Sequence, residues 1–296
     1  MRAPVPSSLF RRRPDSHKGD YGHVLVVGGS IGLTGAPVMA AQAALRSGAG
    51  LVTLAVPEAI YFIAASKLTE VMVHPLPESP AGTLSTGSLT KLRPLMKNAC
   101  VLAVGPGLSR ELPARHFAQR LLVEFPRPIV LDADGINAFA GASRARLKKR
   151  KAPVVITPHP GEMGRLLGIR TEAVQRDRTG IARKVAKELR MVVVLKGHRT
   201  VVASPTGQTY VNRTGNPGMA TGGMGDLLTG MIAALIGQGC DPFTAAKTGV
   251  YLHGLAGDLA VRRVGQLSLT AGDVLTALPH AFRRTDGVSQ HHGISR

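Results

Sequence analysis

Short apolar runs recur along this chain, and each ends in glycine or polar residues. Val24–Val27, Leu51–Val56, Val101–Val104, Ile129–Leu131, Val154–Ile156 and Val192–Leu195 are apolar almost without interruption, as strands buried on both faces of a parallel sheet are. Helical stretches fall between them at Pro37–Ser47, Pro113–Glu124, Glu162–Leu167 and Val174–Leu189. Pro37 suits a first helical position and Gly48 a stop. The alternation predicts an α/β fold, with a central, mainly parallel β-sheet flanked by helices on both faces. Thr200–Ser204 and Gln208–Asn212 predict a hairpin, and the chain after Gly223 reads as mostly helical. With 296 residues, no internal repeat and no long linker, one domain over 1–296 is expected, with its ends 1–17 and 285–296 loosely held.

The strand ends carry a second pattern. Gly28-Gly29-Ser30, Gly105-Pro106-Gly107, Asp132-Ala133-Asp134-Gly135, Thr157-Pro158-His159-Pro160-Gly161-Glu162 and Lys196-Gly197-His198 each follow a strand. Ligands of open parallel sheets bind outside the carboxyl ends of the strands. Repetition of polar and glycine-rich segments at that edge places a site there.

The densest glycine segment is GNPGMATGGMGD, Gly215 to Asp226, followed at once by an apolar helical run. Glycines let a loop wrap closely around a ligand. The free N–H groups of the following helix make an anion site. A carboxylate there repels an anion unless it has work to do, such as taking a proton from a hydroxyl that attacks phosphorus. The plain alternative is that Asp226 caps the helix, but a cap does not require the glycines before it. Leu227, Leu228, Met231, Ile232, Leu235 and Ile236 line one face of the helix, and Gly230, Ala233, Ala234 and Gly237 another. A helix apolar on both faces is buried.

The formal net charge is +19, which suits either nucleic acid or small polyanionic ligands. Aromatic residues make up 4% and tryptophan is absent. No stacking platform is interleaved with the basic blocks, so nucleic acid is disfavoured. Cys100 and Cys240 lie in apolar surroundings and read as buried thiols of a reducing compartment, the cytoplasm. No secretory leader and no membrane span is expected. The chain has no GxxxxGK[ST], no GxGxxG after a strand and no HExxH. Gly28-Gly29-Ser30-Ile31-Gly32 does match a nucleophile elbow, which raises a hydrolase alternative with Ser30 as nucleophile and Asp132 and His159 as partners.

One match covers nearly the whole chain. HKGDYGHVLVVGGS, GLTGAP, AVGPGL, LDADGINAF, ITPHPGE, VLKGHRTVVA and GNPGMATGGMGDLLTGMIAAL, in this order, resemble the bacterial NAD(P)H-hydrate dehydratases of the ribokinase-like superfamily. The resemblance implies ADP-dependent removal of water from the S-form of hydrated NADH or NADPH, with AMP released. Asp226 would be the base and a substrate contact. The N–H groups of Gly223, Met224 and Gly225 would form the anion hole. Lys196, Gly197, His198, Arg199, Thr200 and Gly225 would bind the nucleotide, although relatives often carry Thr where His198 stands. His159, Gly107 and Ala36 would meet the hydrated cofactor, and His159 leans the nucleotide toward ADP rather than ATP. Glu162 and Asn137 are candidates for holding Mg²⁺ through water, with Glu162 equally readable as a first-turn helix acid. The family also implies a homotetramer, with the helices after Gly239 as an interface. It implies functional pairing with a separate epimerase, this chain looking like the stand-alone dehydratase. An ordinary ribokinase-like kinase for a vitamin precursor would share Asp226 and its loop.

Overall fold

A computed structural model of the protein describes residues 4–286. Its strands are β1 (His23–Val27), β2 (Leu51–Pro57), β3 (Met72–Leu76), β4 (Val101–Val104), β5 (Ile129–Leu131), β6 (Val154–Ile156), β7 (Val192–Leu195), β8 (Val201–Ala203) and β9 (Thr209–Val211). They form one sheet in the order β3-β2-β1-β4-β5-β6-β7-β8-β9. Strands β1 to β7 run parallel, and the hairpin β8–β9 adds antiparallel to β7.

The apolar runs fill both faces of this sheet. Leu25 and Val27 join one core, and Val24 and Val26 the other, because successive side chains of a strand point to opposite faces. The first core is completed by helices such as Leu112–Glu124 and Arg178–Leu189. The second holds helices Gly35–Arg46, Met224–Gly237 and Pro242–Val264. Helix Met224–Gly237 is buried along most of its length, as its apolar faces predict. It crosses Gly35–Arg46 so closely that a methyl group at Gly230 would stand 1.9 Å from the Ala40 carbonyl oxygen.

Four details differ from the sequence reading. Strand β3 was not foreseen. It is a partly exposed edge strand containing Pro75, and proline, which cannot donate to a ladder, reads against a strand. The helix expected over Val174–Leu189 is two helices, Thr171–Arg176 and Arg178–Leu189. Asp177 breaks it, with an extended φ of −140° and a side chain that caps Gly180 N–H at 2.8 Å. The first long helix begins at Gly35, ahead of Pro37. The N-terminal segment, expected to be loose, makes specific contacts within residues 4–17. Thr248 Oγ1 donates to the Pro4 carbonyl at 2.6 Å, Arg12 Nη2 donates to the Gly48 carbonyl at 2.8 Å, and the Arg12 guanidinium lies 3.9 Å from the Tyr21 ring centre. Most of the C-terminal stretch expected to be loose, 287–296, lies outside the described residues. Among the described residues no helix is long and apolar enough to cross a membrane.

The chain order reverses between β1 and β4, a topological switch point. The glycine turns after these two strands interlock there. Gly29 N–H donates to the Pro106 carbonyl at 2.9 Å, and a methyl group at Gly107, whose φ is +65°, would stand 2.6 Å from the Leu33 carbonyl oxygen.

Candidate active site

The ends of β5, β6 and β7 bring three ionisable side chains together. Asp132, directly after β5, is 1% exposed. Its Oδ1 accepts from Thr157 Oγ1 at 2.7 Å and from Lys196 Nζ at 2.6 Å. Glu162, in the first turn of helix Pro160–Leu167, is also buried, and its Oε2 stands 3.9 Å from Lys196 Nζ. A capping box orients it: His159 N–H donates to Glu162 Oε2 at 2.8 Å, and His159 Nδ1 accepts from Gly161 N–H at 3.0 Å.

Asp226 sits in the first turn of helix Met224–Gly237, not at its cap. The N-cap is Gly223, held at φ +87°, with no side-chain cap bond. The capping alternative is therefore excluded. The first N–H groups of the helix have no partner within it and present a positive helix end. The loop delivers that end to the carboxylate cluster. A methyl group at Gly225 would stand 3.0 Å from Lys196 Nζ and 3.7 Å from Asp132 Oδ2.

Each charge is tuned by the others. Burial, then the negative charge of Asp132, push the Asp226 carboxyl up to about 7 against the pull of Lys196. Burial raises Glu162 as well, opposed by Lys196. Burial alone would lower the Lys196 ammonium, but Asp132, Glu162 and Asp226 outweigh it and raise it. Burial, then Lys196 and Arg165, lower His159. A buried carboxyl poised near neutrality, next to one strongly held cation, suits a general base.

Beside the cluster lies a cavity of about 450 Å³. Lys196, Gly197, His198, Arg199 and Thr200 line one side, Met224 and Gly225 another, and residues of the loop 212–220 line a third. Gly223 stands at the adjoining helix cap and does not line it. Arg178, from helix Arg178–Leu189, sets the shape of the β7 end. Its Nη2 donates to the Leu195 carbonyl at 2.9 Å and the Lys196 carbonyl at 3.0 Å, and its Nη1 donates to the His198 carbonyl. Gly107 lies at the β1–β4 switch and Ala36 near the start of helix Gly35–Arg46. Asn137 bridges two neighbouring side chains. Its Oδ1 accepts from Arg165 Nε at 2.9 Å and its Nδ2 donates to Asp134 at 2.9 Å. Among the described residues no group of three or more His, Cys, Asp or Glu could cage a metal directly.

The hydrolase alternative fails on geometry. Ser30 is buried, its Oγ donates to the Gly107 carbonyl at 2.9 Å, and the following helix begins only at Gly35. Asp132 entered the sequence reading only as a strand-end residue and as a partner in the hydrolase alternative, not as the partner of Lys196. Arg178 escaped it, because it reads as one more basic residue on a helix.

The family model Carb_kinase, NAD(P)H-hydrate dehydratase, matches residues 24–280. The chain belongs to the NAD(P)H-hydrate dehydratase family. Similar proteins include the bifunctional NAD(P)H-hydrate repair enzyme Nnr of Moorella thermoacetica, 52% identical over 280 residues, covering 95% of this chain and 53% of that protein. The ADP-dependent (S)-NAD(P)H-hydrate dehydratase of Neisseria meningitidis is 39% identical over 275 residues, covering 92% of this chain and 88% of that protein. The chain spans about half the length of the curated bifunctional relatives it matches. Among solved structures, the ADP/ATP-dependent dehydratase of Bacillus subtilis, co-crystallised with ATP and Mg²⁺, superposes with a TM-score of 0.79 at 31% identity, covering 93% of this chain and 94% of that one. Hydroxyethylthiazole kinase of Pyrococcus horikoshii, at 16% identity and a TM-score of 0.57, shares the ribokinase-like fold alone. This chain has the mainly parallel sheet expected from the apolar runs.

Proposed function

We propose that this chain dehydrates the S-form of hydrated NADH or NADPH at the expense of ADP, as a hydro-lyase that repairs damaged nicotinamide nucleotides. The observation that carries this reading is Asp226, a carboxyl raised to about 7 by burial and set in the first turn of a glycine-led helix. The hydroxyl at C6 of the hydrated ring attacks the β-phosphorus of ADP. Asp226 takes its proton, the P–O bond to AMP breaks, and the N–H groups of Gly223, Met224 and Gly225 hold the migrating phosphoryl oxygens. Phosphate then leaves C6 under the push of the ring nitrogen. Loss of a proton from C5 restores the double bond. Hydroxide leaves poorly and phosphate leaves well, so the transfer makes the dehydration accessible.

Lys196, Gly197, His198, Arg199, Thr200 and Gly225 hold the nucleotide in the cavity beside Asp226. His159, Gly107 and Ala36 hold the hydrated cofactor toward the switch point. Glu162 would hold a phosphate-bound Mg²⁺ through water, in that ion's usual style, and the ion would add to the neutralisation of phosphate charge when bound. Asn137 Oδ1, which accepts from Arg165 Nε, would share that role through its second lone pair. The bifunctional relatives, of which this chain spans about half, support functional pairing with an epimerase. We place the enzyme in the cytoplasm as a homotetramer.

Incubation with hydrated NADH and either ADP or ATP tests the reading. Recovery of the near-ultraviolet absorbance of NADH, faster with ADP, is expected. No recovery with either nucleotide would overturn it. A phosphate ester of a vitamin alcohol accumulating instead would mark a kinase.

A further inference from the structure

A run of hydrogen bonds ties three strand ends together and finishes on one arginine. Ser109, two residues beyond Gly107 on the segment after β4, donates its N–H to Asp134 Oδ2 at 3.1 Å. Asp134 and Asn137 both lie in the short helix Ala133–Asn137 after β5, and Asn137 Nδ2 donates to Asp134 Oδ1 at 2.9 Å. Asn137 Oδ1 accepts from Nε of Arg165 at 2.9 Å, in helix Pro160–Leu167 after β6. A guanidinium can only donate and an ionised carboxylate only accept, so both neighbours turn the amide the same way.

This contact holds Arg165 without neutralising it. The residue is exposed, and among the described residues its one hydrogen bond is the one from Nε to the neutral amide. Nη1 and Nη2 stay free. Other oriented arginines spend their forks on the protein. Arg93 and Arg120 pair with Glu124, and Arg127, Arg150 and Arg178 donate to main-chain carbonyls.

The free end of Arg165 lies beside His159. A methyl group at Gly161 would stand 3.2 Å from His159 Nδ1 and 3.7 Å from Arg165 Nη1, so the imidazole and the guanidinium flank one point above Gly161. The His159 side chain is 49% exposed, which leaves this point open to a ligand. The run of hydrogen bonds thus starts beside Gly107 and ends beside His159, the two residues at which the hydrated cofactor is placed above.

We propose that the Nη1–Nη2 fork of Arg165 binds the diphosphate bridge of the hydrated dinucleotide, a proposal that rests on the reading of Gly107 and His159 as its binding side. Both substrates of the reaction carry a diphosphate. That of ADP must reach Asp226 and the helix end beside Lys196, because its phosphorus meets the ring hydroxyl. That of the dinucleotide does not react, is repelled by the first, and sits one sugar away from the ring. It needs a second cation, set apart from Lys196. Lys196 is held by Asp132, and Arg178 by carbonyl groups. Arg165 keeps a planar fork free, and such a fork matches two phosphate oxygens at once. The amide anchor fixes the fork in advance, which lowers the entropy cost of binding.

Steady-state kinetics of the full chain and two variants test this, with hydrated NADH and hydrated NADPH as substrates. The hydrated form of reduced nicotinamide riboside, which has no phosphate, serves as a competitive inhibitor. Arg165→Met removes the charge and keeps an apolar stem. It is expected to raise KM for both hydrated substrates by about 10- to 100-fold, the worth of hydrogen bonds to a charged group, with kcat and KM for ADP within about threefold. Arg165→Lys keeps the charge without the fork and should fall between. The inhibition constant of the riboside should not change in either variant. An unchanged KM for hydrated NADH in Arg165→Met would overturn the proposal, as would a KM in Arg165→Lys as high as in Arg165→Met. A riboside constant that rises as far as the KM for hydrated NADH would overturn it too, and leave Arg165 as a support for the loop around His159. A loss confined to hydrated NADPH would overturn it in favour of the 2′-phosphate, and a raised KM for ADP alone in favour of the other substrate. If the unmodified protein turns over neither hydrated substrate, the reading of the reaction fails, and this proposal with it.

Discussion

Lys196 donates to Asp132 over 2.6 Å, joining strand ends 64 residues apart in sequence. Asp132 is almost wholly buried, and the Lys196 side chain is 18% exposed. The pair sets the charge that Asp226 feels. Asp132 pushes the Asp226 carboxyl up, and Lys196 pulls it down. A base near neutrality is the balance of the two with burial.

Removing the base while keeping its shape separates binding from chemistry. Asp226→Asn is expected to lose turnover by about 10²–10⁴-fold, the usual weight of general-base catalysis. AMP affinity should stay within a few-fold of the unmodified protein. Turnover near the original rate, measured by NADH absorbance, would exclude proton abstraction by Asp226.

The raised carboxyl also costs stability. Asp226 has a folded pKa of about 7 against an ordinary 3.8. Between those values the folded state holds a proton that the unfolded state has lost. Stability therefore falls as pH rises through this window. Asp226→Asn escapes the cost. It should be more stable than the unmodified protein above pH ~7, by on the order of 2–4 kcal/mol, with the gain fading as pH falls toward ~4. Chemical denaturation across this range reads it directly. A variant that is less stable at alkaline pH would contradict the buried, uncompensated charge.

Lys196→Met leaves Asp132 buried without its cation. Breaking a buried pair from one side costs about 3–5 kcal/mol, so a marked drop in melting temperature is expected. The loss of Lys196 also removes the charge that lowers Asp226. Whatever activity survives should rise with pH at a higher midpoint than in the unmodified enzyme. An unchanged midpoint would show that Lys196 does not tune the base.

Arg178 touches three carbonyl groups around the end of β7. A methyl group at Gly197 would already stand 3.0 Å from its Nη2, so the loop is moulded onto the guanidinium. Arg178→Ala should raise KM for ADP about tenfold and leave kcat within about threefold, because hydrogen bonds to a charged group are worth about 1.5–3 kcal/mol and these aim the binding loop, not the base. Arg178→Lys, which lacks the fork, should recover little of the loss. A fall in kcat at unchanged KM would point to a different role.

The parallel strands were readable because both their faces are buried, so each apolar run needs no partner to be recognised. Val101–Val104, Ile129–Leu131, Val154–Ile156 and Val192–Leu195 fall where the runs end. Strand β3 was not readable, because an edge strand with Pro75 and exposed Met72 has neither continuity nor a full ladder. Asp226 and its loop stood out because glycines and the carboxylate are adjacent in the chain. Arg178 did not, since its meaning depends on which strand end its helix packs against.

Sequence alone determined the elements and their chemistry: buried strands from apolar continuity, glycine-rich strand ends, and an acid at the head of a buried helix. Those are local properties, carried by neighbours within a few residues. Only the tertiary structure decided the company each charge keeps. The parallel sheet aligns the ends of β5, β6 and β7, so Asp132, Glu162 and Lys196 converge, and helix Met224–Gly237 adds Asp226. Electrostatic energy depends on distance and burial in space, and neither is written in the order of residues along a chain.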